Sequence, residues 1–240
     1  MSFWPFSNKC TLAESGLFQG MTDWHCHILP GVDDGVQTMD EALSVLAYYE
    51  HLGFSEVWLT PHIMEDMPNK TADLRHRFSE LQAAYRGGIK LHLAAENMID
   101  SLFDQRLEAG DLLTLGDGNR LLVETSYFNS PMAFLQRVEH IKARGYTPVL
   151  AHPERYVYMD NSFYQKLRDM GVAFQLNIVS LTGMYGKMAK KKAEHLLAAQ
   201  AYTLAGTDLH SQAAHRRQFA VAVEKSIIES VKHAAKGVTR

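Results

Sequence analysis

From Thr22 onward the chain alternates short apolar or β-branched runs with amphipathic helical stretches, seven times over. No other feature restricts the fold so tightly, because strands alternating with helices of this length predict parallel βαβ units. After the first strand, Thr38-Met39-Asp40-Glu41 reads as a capping box. Ala42, Leu43, Leu46 and Tyr49 follow at helical spacing, and Gly53 stops the helix. The rhythm then predicts strands at 56–60, 89–95, 120–124, 147–151, 172–177 and 201–206. Helices are predicted near 71–86, 99–109, 131–144, 161–170 and 184–200, with one more at the C-terminal end. Seven strands make either an open doubly wound sheet or an irregular barrel, and periodicity alone does not choose.

The strand ends do. Strand one ends in Asp23-Trp24-His25-Cys26-His27, with Asp33-Asp34 in the loop after it. Strand two runs into His62, strand three into Glu96, strand four into Glu124 and strand five into His152. Strand six ends at Asn177, and strand seven leads to Asp208 and His210. Two histidines two apart in a strand share a face, since side-chain direction repeats every second residue. Six of seven strand ends thus carry a His, Asp or Glu at the C-terminal end, the face where a (β/α) barrel gathers its functional loops. A barrel brings these side chains over one mouth, whereas an open sheet strings them along an edge, so the pattern favours the barrel. Five histidines with four carboxylates offer nine donors, more than one four-coordinate ion uses, and suit two or three divalent ions. Their four negative charges leave room for a hydroxide and a phosphate dianion, the charge state of a phosphoester hydrolase.

Composition narrows the class. The 240 residues are 46% apolar, enough for one full core, and the net charge of −3 offers nothing to nucleic acid or an anionic membrane. No run approaches the roughly 18 apolar residues of a membrane span. The two cysteines, Cys10 and Cys26, build no disulfide framework and suit a reducing cytoplasm. Residues 1–20, beginning MSFWPF, are set apart as an N-terminal extension to a single domain over 21–240. Of the twelve histidines, His51, His76, His92, His140, His195, His215 and His233 are assigned mostly to solvated helix surfaces. A thiolate phosphatase is excluded by inspection: the arginine it needs six residues after the nucleophile is Gly16 after Cys10 and Val32 after Cys26. No P-loop is present either.

The run D-x-H-x-H…G-x-D-D-G, followed by T-P-H, A-A-E, V-E, A-H-P-E-R-Y and G-T-D-L-H, resembles the polymerase and histidinol phosphatase (PHP) superfamily. It is most similar to the bacterial PHP-type tyrosine-protein phosphatases of capsular and exopolysaccharide loci, over about Thr22 to His210. The resemblance implies a distorted (β/α)₇ TIM-like barrel with three divalent ions, manganese first, iron or zinc otherwise. It implies His25, His27, Asp34, His62, Glu96, Glu124, His152, Asp208 and His210 as ligands; spacing alone does not separate Asp34 from Asp33. It implies Arg155 against the substrate phosphate, with Arg216 or Arg217 as a second such arginine. It implies hydrolysis of phosphotyrosine by a metal-bridging hydroxide, with Asp208 and His210 also in catalytic roles, His210 as a possible proton donor. The implied partner is a phosphotyrosine protein, the tyrosine-rich tail of a bacterial tyrosine kinase for polysaccharide export. Tyr127, Phe128, Tyr156 and Tyr158 are predicted near the mouth, as substrate contacts or as rim packing. A PHP-type phosphoesterase of a small molecule such as histidinol phosphate or a nucleotide, and a non-catalytic metal-stabilised scaffold, stand as alternatives.

Overall fold

The structure is a computed structural model and describes residues 8–116 and 118–236; the MSFWPF stretch lies outside the described residues. Seven strands, two of them continued past a break, form the barrel wall. The first is β2 (Thr22–Cys26), preceded by a short β1 (Lys9–Thr11). Helix α1 (Met39–Leu52) follows, its N-terminus capped as predicted by the Thr38 hydroxyl accepting from the Glu41 N–H. Gly53, in the left-handed region at φ 97°, ends it. The next strand is interrupted: β3 (Glu56–Leu59) stops before Pro61, which has no N–H to give, and β4 (His62–Ile63) resumes beyond it. After α2 (Thr71–Ala84) the predicted strand over 89–95 is likewise two pieces, β5 (Lys90–Leu93) and β6 (Glu96–Met98).

The remaining units are regular: α3 (Ser101–Ala109), β7 (Arg120–Glu124), α4 (Phe134–Ala143), β8 (Thr147–Ala151), α5 (Asn161–Asp169), β9 (Ala173–Asn177), α6 (Gly186–Ala198) and β10 (Leu204–Gly206). The chain then ends in α7 (Gln212–Phe219), β11 (Ala222–Glu224) and α8 (Lys225–Lys236), two helices and a strand where the sequence predicts one helix.

The two breaks distort the barrel. One sheet runs β2-β3-β5 and another β10-β9-β8-β7-β6-β4, so the lower segments pair with one neighbour set and their continuations with the other. The ring closes where the Asp208 N–H donates to the His25 carbonyl (2.7 Å) and the His27 N–H to the Leu209 carbonyl (2.9 Å). Between β5 and β7 no direct pairing exists among the described strands, which leaves the wall split below the mouth.

Two apolar layers follow from strand alternation. Outward residues such as Val57, Leu121, Leu150, Phe174 and Ala205 pack with the helices in the main core. Inward residues Trp58, Ala94, Leu122, Val149, Ala151 and Leu204, with Trp24 and Ala173, fill the barrel's floor. Residues 9–20 are not an appendage. Strand β1 pairs antiparallel with β11, Leu12 and Phe18 are buried, and the Phe18 ring lies 4.8 Å from both Phe54 and Phe219. A three-residue strand is too short to register as a period, so only its tertiary partner reveals it.

Candidate metal centre

The floor and the mouth are built by the same strands. On β7, Leu122 points into the floor and Glu124, two residues on, into the mouth; Ala94 and Glu96 stand in the same relation. Strand β2 is irregular, with a register shift between Asp23 and Cys26. Trp24 joins the floor, stacked 5.6 Å from Trp58, while Cys26 joins the outer core. A bulge of this kind re-aims side chains, and here Trp24, His25 and His27 all turn inward. Two glycines make room for the histidine pair: a Cβ on Gly35 would stand 2.4 Å from that of His27, and one on Gly206 2.7 Å from that of His25.

Three overlapping groups of side chains converge at the mouth with ligand atoms within 4.8 Å of one another: His27, Asp34, His62 and His210; His25, His27, Glu96 and Asp208; His62, Glu96 and Glu124. Eight of the nine sequence-predicted ligands fall in these groups. The ninth, His152, is adjacent, its Nε2 2.9 Å from Glu96 Oε1. Apart from Asp34 and His210 all are buried. His152 at φ 33° and Asp208 at φ 54° hold left-handed backbone, a strained conformation for residues other than glycine that tends to be kept where a side chain must be aimed.

Neighbours fix the rings. Gln175 Nε2 donates to the Leu176 carbonyl, so its Oε1 is an acceptor and takes the His25 Nδ1–H at 2.9 Å. Asp33 Oδ2 accepts from His27 Nδ1 (2.8 Å) and from the His62 backbone N–H (3.1 Å). Each proton on Nδ1 leaves a lone pair on Nε2, and the two Nε2 atoms meet at 3.1 Å. The adjacent aspartates thereby separate. Asp33 is a buried orienter of His27, while Asp34 is exposed and faces His210 Nε2 at 3.4 Å and His62 Nε2 at 3.6 Å. His210 Nδ1 lies 3.0 Å from the Asp208 carbonyl, which also turns its Nε2 to the group. Sequence spacing missed Asp33 and Gln175 as orienters. The adjacency of Asp33 to Asp34 was the one signal available.

The electrostatics follow from carboxylates crowded among histidines. Burial pulls the His25 pKa down, but Glu96 and Asp208 overcome this and raise it to about 9. Burial raises Glu96 and Asp208, and the surrounding histidines reverse it, holding both carboxyls well below their usual range. Asp33 is brought to about 2, burial being outweighed by His27. His62 Nδ1 stands 3.2 Å from Glu96 Oε2 and 2.9 Å from Glu124 Oε1 as an ion-pair cluster without well-aligned hydrogen bonds, and His152 Nδ1 is buried without a hydrogen-bond partner. Donor atoms crowded at short mutual distance, of mixed imidazole and carboxylate type, fit divalent metal ions.

Beside the groups, Asp208 divides its oxygens. Oδ1 faces His27 Nε2 at 3.4 Å and His25 Nε2 at 3.6 Å; Oδ2 accepts from Arg155 Nη1 (2.7 Å) and Asn177 Nδ2 (2.8 Å). The Arg155 guanidinium lies between two rings, 4.3 Å from the Tyr127 centroid and 4.0 Å from that of Tyr185. Arg155, Tyr127, Tyr185, Asp34, His62 and His210 line a cavity of about 380 Å³ together with Asp208 and His215. The other predicted residues are not brought to it. Arg216 is exposed and lies over the Tyr48 ring at 3.8 Å, and Arg217 is exposed on the same helix; neither lines the cavity. Among the aromatics, Tyr127 reaches the mouth, Tyr156 is fully buried with its hydroxyl accepting from the Thr125 N–H, and Phe128 projects outward. His215, assigned to a helix surface, is buried with Nε2 2.9 Å from the Thr207 carbonyl, and His92 lies on β5 against Trp58 rather than on a helix.

A family model described as capsular polysaccharide synthesis, CpsB/CapC, matches residues 21–234. The chain belongs to the CpsB/CapC family. Within it, the tyrosine-protein phosphatase YwqE of Bacillus subtilis (strain 168) is 29% identical over 197 residues, 80% of this chain and 78% of its own. The tyrosine-protein phosphatase CpsB of Streptococcus pneumoniae is 29% identical over 204 residues, covering 80% and 83%. A crystal structure from work on YwqE and CpsB, described as metal-dependent tyrosine phosphatases, superposes with a TM-score of 0.74 at 25% identity, over 90% of this chain and 88% of that one. The distorted PHP-type barrel is therefore the CpsB/CapC fold. A lactonase from Listeria monocytogenes, at 12% identity and a TM-score of 0.51, shares the fold alone, covering 92% of each chain.

Proposed function

We propose that this CpsB/CapC chain is a metal-dependent protein-tyrosine phosphatase, hydrolysing phosphotyrosine without a phospho-enzyme. The observation that carries the reading is the convergence of three ligand groups on one cavity that also holds Arg155. Our ligand set is His25, His27, Asp34, His62, Glu96, Glu124, His152, Asp208 and His210 for three divalent ions, with manganese first and iron or zinc as alternatives; the mixed nitrogen and oxygen donors support it. Bound ions of this kind supply a nucleophilic water near neutral pH and positive charge against phosphoryl oxygens.

The chain's own residues do the rest. Asp33 and Gln175 hold two imidazoles in the tautomer that presents Nε2. Arg155, anchored through one nitrogen to Asp208 and clamped by two tyrosine rings, keeps its further N–H groups for the phosphate. A phenol of pKa about 10 leaves without strong acid help, so His210, whose Nδ1 is engaged by a carbonyl, serves better as a ligand than as an acid. Arg216 and Arg217 have no part in this scheme. The partner we propose is a phosphotyrosine-bearing protein in the cytoplasm, the tyrosine-rich tail of a kinase in polysaccharide export; the family's capsular description and the free cysteines support this. No helix among the described residues is long and apolar enough to cross a membrane.

The test is phosphate release from phosphotyrosyl and phosphoseryl peptides by chelator-treated protein, with and without added Mn²⁺. Metal-restored release that favours phosphotyrosine is expected. Release from neither peptide, with the metal bound, would return the substrate to the small-molecule phosphoesters.

A further inference from the structure

Isolated exposed apolar side chains are ordinary on a protein surface, but clustered ones are not. Five of the six large apolar side chains left exposed among the described residues stand on three successive mouth-side segments: Phe128 and Met132 after β7, Val157 after β8, and Met184 and Met188 after β9. Met132 is 89% exposed, Met188 65% and Val157 58%. Val157 and Met188 line a second depression of about 530 Å³, whose basic members are Lys191, Lys192 and His195. Its one acid, Asp160, is engaged in capping α5, accepting from the Phe163 N–H at 2.9 Å.

Residues of this depression are tied to residues that line the mouth. The Val157 N–H donates to the carbonyl of Tyr127 (2.9 Å), and Tyr127 lines the mouth cavity. Met184 and Tyr185 line that cavity too, and Met188 follows within the first turn of α6. Lys192 Nζ ties α6 to the neighbouring loop through the Tyr156 and Met159 carbonyls, at 2.6 and 2.7 Å. The first seven residues of α6 carry Lys187, Lys190, Lys191 and Lys192 and no acid, on a chain whose net charge is −3. Lys190 lies 3.9 Å from Glu194, and Lys187 and Lys191 are exposed.

The geometry points to a docking groove for the polypeptide that flanks the substrate phosphotyrosine: a segment with an apolar side chain against Val157 and Met188 and acidic residues against Lys187 and Lys191. The inference rests on the phosphotyrosine reading and deepens it, since a small phosphoester would fill the mouth and leave this surface uncovered. Acidic charge in the flank is selected by the lysines, and the apolar contact by two side chains that otherwise face water.

The experiment uses the metal-loaded full chain and three fluorescent peptides carrying a non-hydrolysable phosphonate analogue of phosphotyrosine, with apolar-acidic, glycine-serine or apolar-basic flanks. Fluorescence anisotropy should show the apolar-acidic peptide binding about tenfold tighter than the neutral one, a difference of about 1.4 kcal/mol. Met188→Glu and Lys191→Glu should each erase most of that advantage, leaving turnover of p-nitrophenyl phosphate unchanged. Against Lys191→Glu, the basic-flanked peptide should become the better ligand. Equal affinity for all three peptides overturns the groove. So does binding to phosphatidylglycerol vesicles that both variants abolish while the peptide ranking is flat, which would make the surface a lipid contact. If the wild type hydrolyses neither p-nitrophenyl phosphate nor phosphotyrosyl peptides, the phosphatase reading fails, and the peptide ranking judges the groove separately.

Discussion

The mouth and the floor of this barrel use the same strands two residues apart and obey opposite rules. In the floor, Trp58, Leu122, Val149, Ala151 and Leu204 pack apolar surface against apolar surface and hold the wall together. In the mouth, carboxylates crowd among buried histidines at ion-pair distance, a donor set that suits divalent cations. Stability and chemistry are therefore divided by depth along each strand. A change at one level should leave the other largely untouched, and that separation can be tested.

The largest effect is expected at Glu96, which is buried and lies within 3.3 Å of His25, His27, His62 and His152. Glu96→Gln keeps the shape but removes the charge shared by those rings. Turnover should fall by roughly a thousandfold or more, the scale of a lost electrostatic stabiliser, and metal content by elemental analysis should drop while the far-ultraviolet circular dichroism is retained. Leu122→Ala, two residues before Glu124, should do the reverse. It should cost about 2–5 kcal/mol of stability in thermal or urea unfolding, with metal content per folded molecule unchanged. If Leu122→Ala also emptied the metal site, the division by depth would be wrong.

The comparison sharpens with pH. In stripped protein His25 has a folded pKa raised to about 9, so its stabilising contribution is complete below its unfolded value near 6.5 and disappears as pH rises through about 9. Metal binding needs the neutral ring and is favoured in the opposite direction. The melting temperature of stripped protein should fall by several degrees between pH 6.5 and 9.5, and that of metal-loaded protein should not; parallel curves would show that protons are not replacing cations. The smallest effect is expected at Asp33, which touches no candidate ion and orients His27. Asp33→Asn should weaken metal affinity by about 10–100-fold, as for other outer partners of ligands, measured by competition with a chelator. Loss as complete as for Glu96→Gln would make Asp33 a ligand and return the question of the two aspartates.

Much of the molecule was legible in the chain because the relevant signals are local. The seven-fold β/α rhythm, the Thr38 cap and the Gly53 stop depend on residues within a turn of one another. The convergence of eight predicted ligands follows from a parallel barrel placing every strand's C-terminal end on one face. What was misread lacked that locality. Strand β1 is defined by β11 more than 200 residues away. Arg216, which the resemblance offers with Arg217 as a phosphate contact, lies over Tyr48 and outside the residues that line the cavity.

By itself, then, the sequence determined the order of the elements, the face on which the chemistry gathers and the residue types that gather there. Period and capping are properties of neighbours along the chain. Only the tertiary structure decided that Asp33 orients His27 while Asp34 faces His210 and His62, that β2 shifts register to turn Trp24 inward beside His25, and that Asp208 splits its oxygens between histidines and Arg155. Most of those choices are made by atoms distant in sequence, and the same holds elsewhere in the wall, where the Asp23 carboxylate accepts from the Thr207 backbone N–H across 184 residues. No pattern of residue types along a strand encodes which of two oxygens such a partner will claim.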